Sequence, residues 1–144
     1  MYSTETKIRV RYSETDQMGF VYYGNYATYY EVARAEMMRE LGITYKEMEA
    51  KGCMMPMIEM SVNYLKPAFY DDLLRIKTSV EQMPASRMHF EYEIYNDVTG
   101  QLLNTGKTTL TFINRNSYKP MRAPEWFIEL INARLKKDNI ELKK

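Results

Sequence analysis

Apolar and charged residues alternate from Thr6 to Tyr12, with Ile8, Val10 and Tyr12 on one side and Lys7, Arg9 and Arg11 on the other. This is the pattern of a half-buried strand. The stretch that follows, to Gly24, mixes two glycines with polar residues and reads as a loop. From Asn25 the period changes. Tyr26, Tyr29, Tyr30, Ala33, Met37 and Leu41 recur at helical spacing, with Asn25 as an expected N-cap and Gly42 as a stop. A second short helix is expected from Thr44 to Lys51, where Thr44 and Glu47 form a capping-box pattern. Beyond Met57 the period is two. Ile58, Met60, Val62 and Tyr64 make one strand face, Leu74, Ile76, Thr78 and Val80 another, and Phe90, Tyr92 and Ile94 a third. The run Asn96 to Gly100 predicts a hairpin turn into a long last strand, Leu102 to Asn114. Pro124 then opens an amphipathic helix presenting Trp126, Phe127, Leu130, Ile131 and Leu135, to about residue 136. The charged tail, Lys136 to Lys144, is expected to fray.

One sheet cannot leave the long apolar helix uncovered, so the strands should wrap around it. An antiparallel sheet around a long central helix is the hotdog fold, of the α+β class. The 144 residues fit a single domain spanning 1–144. Twenty lysines and arginines stand against 19 acids, so no overall field favours nucleic acid. No segment is apolar enough to suggest membrane insertion. The N-terminus lacks the apolar run of a signal peptide, and the lone Cys53 can form no internal disulfide. A reducing cytoplasm is the expected location.

Metal chemistry is poorly served, because the one histidine is His89, on an alternating strand. His89 is expected to be structural or on the surface, and no Gly-x-Ser-x-Gly motif offers it a nucleophile. No metal and no cofactor are expected. Glu14, two residues from Asp16, reads as a solvated loop acid. Glu31 and Arg34 are spaced to pair on a helix surface. The methionines at 54, 55, 57 and 60 would suit a flexible apolar pocket or a core, and the core is favoured.

The run from Val10 to Tyr26, containing Arg11-Tyr12-Ser13-Glu14-Thr15-Asp16-Gln17-Met18-Gly19, continues through Tyr30-Glu31-Val32-Ala33-Arg34. It resembles the 4-hydroxybenzoyl-CoA thioesterase family, and within it the small bacterial acyl-CoA thioesterases associated with the Tol-Pal system. Asn63 to Ala68, followed by Asp72, adds a second match. The resemblance implies hydrolysis of an acyl-CoA thioester, coenzyme A being part of the substrate, with Asp16 as nucleophile or general base. It also implies a backbone oxyanion site at Tyr23, Gly24 and Asn25, with the Tyr23 N–H as donor, and a homodimer or homotetramer. Residue chemistry permits these roles: a carboxylate can attack or activate water, and a helix N-terminus favours developing negative charge. Many relatives carry histidine where this chain has Tyr23, which removes an imidazole from the scheme. Lys66, Arg87 and Lys107 are the candidate cations for coenzyme A phosphates. Two other readings stand beside this one: an acyl-carrier-protein thioesterase, and a non-catalytic acyl-CoA-binding module that does not need Asp16.

Overall fold

The computed structural model describes residues 1–144. Strand β1 (Tyr2–Arg9) leads through two short 3-10 turns, Tyr12–Glu14 and Tyr23–Asn25, into helix α1 (Tyr26–Leu41) and helix α2 (Tyr45–Ala50). The sheet then builds from β2 (Cys53–Met54), β3 (Met57–Tyr64), β4 (Leu73–Val80), β5 (Arg87–Asn96), β6 (Leu102–Asn114) and β7 (Pro120–Met121), and α3 (Glu125–Asp138) closes the chain. All strand pairings are antiparallel, in the order β1-β4-β5-β6, with β2, β3 and β7 all paired to β6. This is the expected antiparallel sheet around a long helix.

The sheet's concave face supplies Leu74, Ile76, Phe90, Tyr92 and Ile94, and α1 answers with Tyr26, Tyr29, Tyr30, Ala33, Met37 and Leu41, all buried. Removing this apolar surface from water stabilises the fold at roughly 25 cal/mol per Å2. Tyr30 lies parallel on Tyr92, ring centres 4.3 Å apart. At the far end Phe112 meets Phe127 of α3 at 6.1 Å. No helix is long and apolar enough to cross a membrane.

Several expectations need correction. The first strand starts at Tyr2 rather than Thr6, because Tyr2 and Thr4 are buried opposite Val80 and Thr78 of β4. It ends at Arg9, and Tyr12 turns outward in a 3-10 turn. Asn25 holds the N-cap position of α1, as expected, but its backbone is already helical and its side chain makes no capping bond, donating to Glu14 O instead. Glu31 and Arg34 form no ion pair. Arg34 lies on the buried stripe beside Tyr45 and Tyr92, with its Nε and Nη1 lacking an acceptor. Met57 and Met60 are exposed rather than in the core, since β3 is paired on one side only. The tail does not simply fray either: Lys143 N–H donates to Glu81 O at 3.0 Å, and Lys143 O accepts from Met83 N–H at 2.7 Å.

Candidate active site

The loop between β1 and α1 is cross-braced by its own backbone. Asp16 N–H donates to Phe20 O at 3.1 Å, Gly19 N–H donates to Asp16 O at 3.0 Å, and Thr15 pairs with Val21. Gly19 takes a φ of +90°, a conformation that disfavours any residue with a Cβ. Within this tight turn Asp16 Oδ1 accepts the Met18 N–H at 2.9 Å, while Oδ2 makes no hydrogen bond inside the chain. One carboxylate oxygen is therefore oriented by the turn and the other has no partner in the chain.

Two residues earlier, Glu14 is held quite differently. Its Oε1 accepts Arg11 N–H at 2.9 Å and the Tyr29 hydroxyl at 3.0 Å; its Oε2 accepts Arg11 Nη2 at 2.8 Å and Nε at 3.2 Å. Its carbonyl accepts Tyr22 N–H at 2.9 Å and Asn25 Nδ2 at 2.8 Å. Glu14 is thus buried and fully paired, contrary to the solvated acid expected from sequence. Burial opposes its ionisation, but the Arg11 and Tyr29 hydrogen bonds outweigh that and hold its pKa below the ordinary carboxylate value.

The chain next passes into α1 through the turn Tyr23–Asn25, whose first bond runs from Asn25 N–H to Tyr22 O at 2.9 Å. The N–H groups of Tyr23 and Gly24 precede that bond and have no acceptor in the chain, as the first donors of a helix do. Gly24 leaves room here for the Tyr22 ring, which folds back over the backbone; a Cβ would stand 2.7 Å from that ring and push the exposed Tyr22 side chain aside. The Tyr64 hydroxyl donates to Tyr23 O at 3.2 Å and fastens this turn to β3.

A cavity of about 270 Å3 opens beside these groups, lined by Asp16, Met18, Phe20, Tyr23, Tyr26 and Tyr64, with Val21, Leu65, Lys66 and Pro67 completing its wall. Burial pushes the Tyr26 phenol up to about 12, so it remains neutral at working pH. An apolar hollow with one carboxylate, free backbone donors and one lysine at its side can receive an apolar acyl group and an anion.

The structure therefore brings Asp16, Tyr23 and Lys66 to one cavity, with Gly24 and Asn25 in the adjoining turn. It does not bring Arg87 or Lys107 there. Arg87 is exposed at the start of β5, and Lys107 lies on the convex face, paired with Glu91 at 3.3 Å. His89 also lies outward, its Nδ1 3.0 Å from Thr109 Oγ1. No cluster of metal-ligating side chains occurs. Sequence reasoning missed Glu14 and Tyr29. The available signal was Arg11, three residues before Glu14, a spacing that lets the carboxylate reach back to the Arg11 N–H.

The profile of the Thioesterase-like superfamily matches residues 10–131, and the chain belongs to that family of hotdog thioester hydrolases. It is 33% identical over 130 residues to YneP of Bacillus subtilis, covering 88% of this chain and 94% of that one. It is 31% identical over 118 residues to the acyl-CoA thioester hydrolase YbgC of Escherichia coli, covering 82% and 87%. Among solved structures, a DHNA-CoA thioesterase from Staphylococcus aureus superposes with a TM-score of 0.85 at 37% identity, covering 99% of both chains.

Proposed function

We propose that this protein hydrolyses acyl-CoA thioesters to a free acid and coenzyme A, with Asp16 as the catalytic carboxylate. The observation that carries the reading is that Asp16, with one carboxylate oxygen unbonded within the chain, and Tyr23, at the opening of α1, line one cavity. The acyl group would sit among Phe20, Tyr26 and Tyr64, and Lys66 would face the coenzyme A phosphates. Attack on the thioester carbon turns its carbonyl oxygen into an oxyanion. The free N–H groups of Tyr23 and Gly24, at the positive end of a 16-residue helix, would hold that charge as it develops.

Asp16 can act by either of two routes. As nucleophile it forms a mixed anhydride and expels the coenzyme A thiolate, and water then cleaves the anhydride. As general base it takes a proton from water, the hydroxide oxygen adds to the carbonyl, and the same thiolate leaves and is protonated. Neither route uses an imidazole, in keeping with tyrosine at position 23.

The unpaired edge of β3 supports a homodimer. Met60, Val62 and Tyr64 point to the same concave side as the buried Thr108 and Asn104 of β6, yet Met60 is 41% and Tyr64 54% exposed. A second copy joined along this edge would cover them and complete the cavity that Tyr64 lines.

The test is thiol release from acetyl-, octanoyl-, palmitoyl- and benzoyl-CoA by the wild type and Asp16→Asn. Loss of kcat by at least about 100-fold, with acyl-CoA binding retained, is expected. Equal turnover by both proteins would sink the mechanism, and binding without hydrolysis by the wild type would make this a binding module.

A further inference from the structure

We infer that Glu14 is a positioning residue: it locks the loop carrying Asp16 to the start of α1, fixing the carboxylate against the Tyr23 and Gly24 N–H groups. The inference rests on the mechanism proposed above and names the part of the protein that sets its geometry.

Asp16 has one side-chain hydrogen bond, to a backbone N–H only two residues away. That bond selects a rotamer, but it moves with the loop and cannot fix the distance to the helix. The link to the helix passes through Glu14. Its carboxylate takes the hydroxyl of Tyr29, on the first turn of α1, and its carbonyl takes the side-chain amide of Asn25 and the N–H of Tyr22, on the chain leading into that helix. Arg11 closes the carboxylate from the other side through three N–H donors. Only Thr15 separates Glu14 from Asp16, and Thr15 is itself paired with Val21. A continuous hydrogen-bonded path thus runs from α1 through Glu14 to the catalytic loop. Glu14 does not line the cavity, so it acts on geometry and has no contact with substrate. A buried carboxylate with all its lone pairs engaged is suited to that duty, because it has no free oxygen to give to a reaction.

The experiment measures kcat and KM at 25 °C for Glu14→Gln, Tyr29→Phe and Asn25→Ala, with Asp16→Asn beside them. The substrate is whichever of the four acyl-CoA esters the wild type turns over fastest. Folding of each variant is checked by circular dichroism and thermal melting. Tyr29→Phe keeps the ring and removes one donor, and Asn25→Ala removes a separate strut, so the test survives should Glu14→Gln fail to fold.

The expected result is a kcat lowered by about ten- to a hundred-fold in folded variants with KM changed by no more than about twofold. The Glu14→Gln/Tyr29→Phe double variant should fall no further than Glu14→Gln, because both remove one link. A change confined to melting temperature, with kcat intact while Asp16→Asn is dead, would overturn the positioning role and leave the mechanism standing. Full activity in Asp16→Asn would overturn both, and is recognisable as such because it appears in the Asp16 variant itself.

Discussion

Two carboxylates separated by one residue have opposite surroundings in this protein, and the number of donors around each explains why. Glu14 is buried among Arg11 and Tyr29 donors, whereas Asp16 is half-buried with a single backbone donor. The first is fixed as an anion; the second keeps an oxygen free. Because Glu14's folded pKa lies below its unfolded value, near about 4.3, its ionised hydrogen bonds stabilise the fold above that pH. That contribution is lost as pH falls through the depressed folded value. The melting-temperature gap between wild type and Glu14→Gln should therefore be widest above about pH 5 and shrink below about pH 4. Thermal melts from pH 3 to 7 check this, and a gap that does not vary with pH would contradict it. The groups facing Glu14 are Arg11 and Tyr29, and burial drives the Tyr29 phenol upward, so neither titrates in that window.

At the scale of elements, the way α1 meets the sheet depends on a glycine. Tyr30 stacks on Tyr92 and gives its hydroxyl to Asn104, and to do so its ring passes over Gly106 in the middle of β6. A Cβ at Gly106 would overlap the hydroxyl and ring of the buried Tyr30, which has no room to move aside. Gly106→Ala should therefore destabilise the protein by about 1–3 kcal/mol through overpacking, despite alanine's better strand entropy. Urea unfolding followed by tyrosine and tryptophan fluorescence measures it. Gly106→Ala with Tyr30→Phe should recover part of the loss, since the hydroxyl is the atom met first. The recovery would tie the cost to this contact rather than to β6 as a whole.

For the whole molecule, the decisive feature is the uncovered edge of β3. Seven of its eight residues are exposed, although Asn104, Thr108 and Leu110 of β6, opposite Tyr64, Met60 and Met57, are buried. An exposed apolar strand edge invites pairing. Met60→Lys puts a charge on that concave side at a position already open to water, so the isolated subunit should tolerate it. Sedimentation is expected to show wild type as a dimer or a dimer of dimers and Met60→Lys as a monomer, with hydrolysis lost alongside assembly because Tyr64 and the cavity lie on the same edge. A monomeric wild type with full activity would remove the dimer from the mechanism.

The sequence by itself determined the order of the long elements, the buried tyrosine face of α1, the period-two strands and the motif around Asp16, because each is written in local spacing or in a contiguous run; the two-residue strands β2 and β7 carry no such pattern and appear only through their pairing with β6. It located Asp16 and the turn at Tyr23 and Gly24 together for the same reason: they are neighbours in the chain. Tertiary structure decided what depends on distant partners. Tyr2 and Thr4 join β1 only because β4 lies opposite, and Met57 and Met60 are exposed only because β3 falls at an edge. Lys66 reaches the cavity from the bend that follows β3, whereas Lys107 is held on the convex face of β6 by strand alternation, and neither placement is visible until the sheet has formed. Glu14 and Tyr29 are fifteen residues apart. Their bond, and with it the setting of Asp16, exists only once the loop has folded back onto the helix.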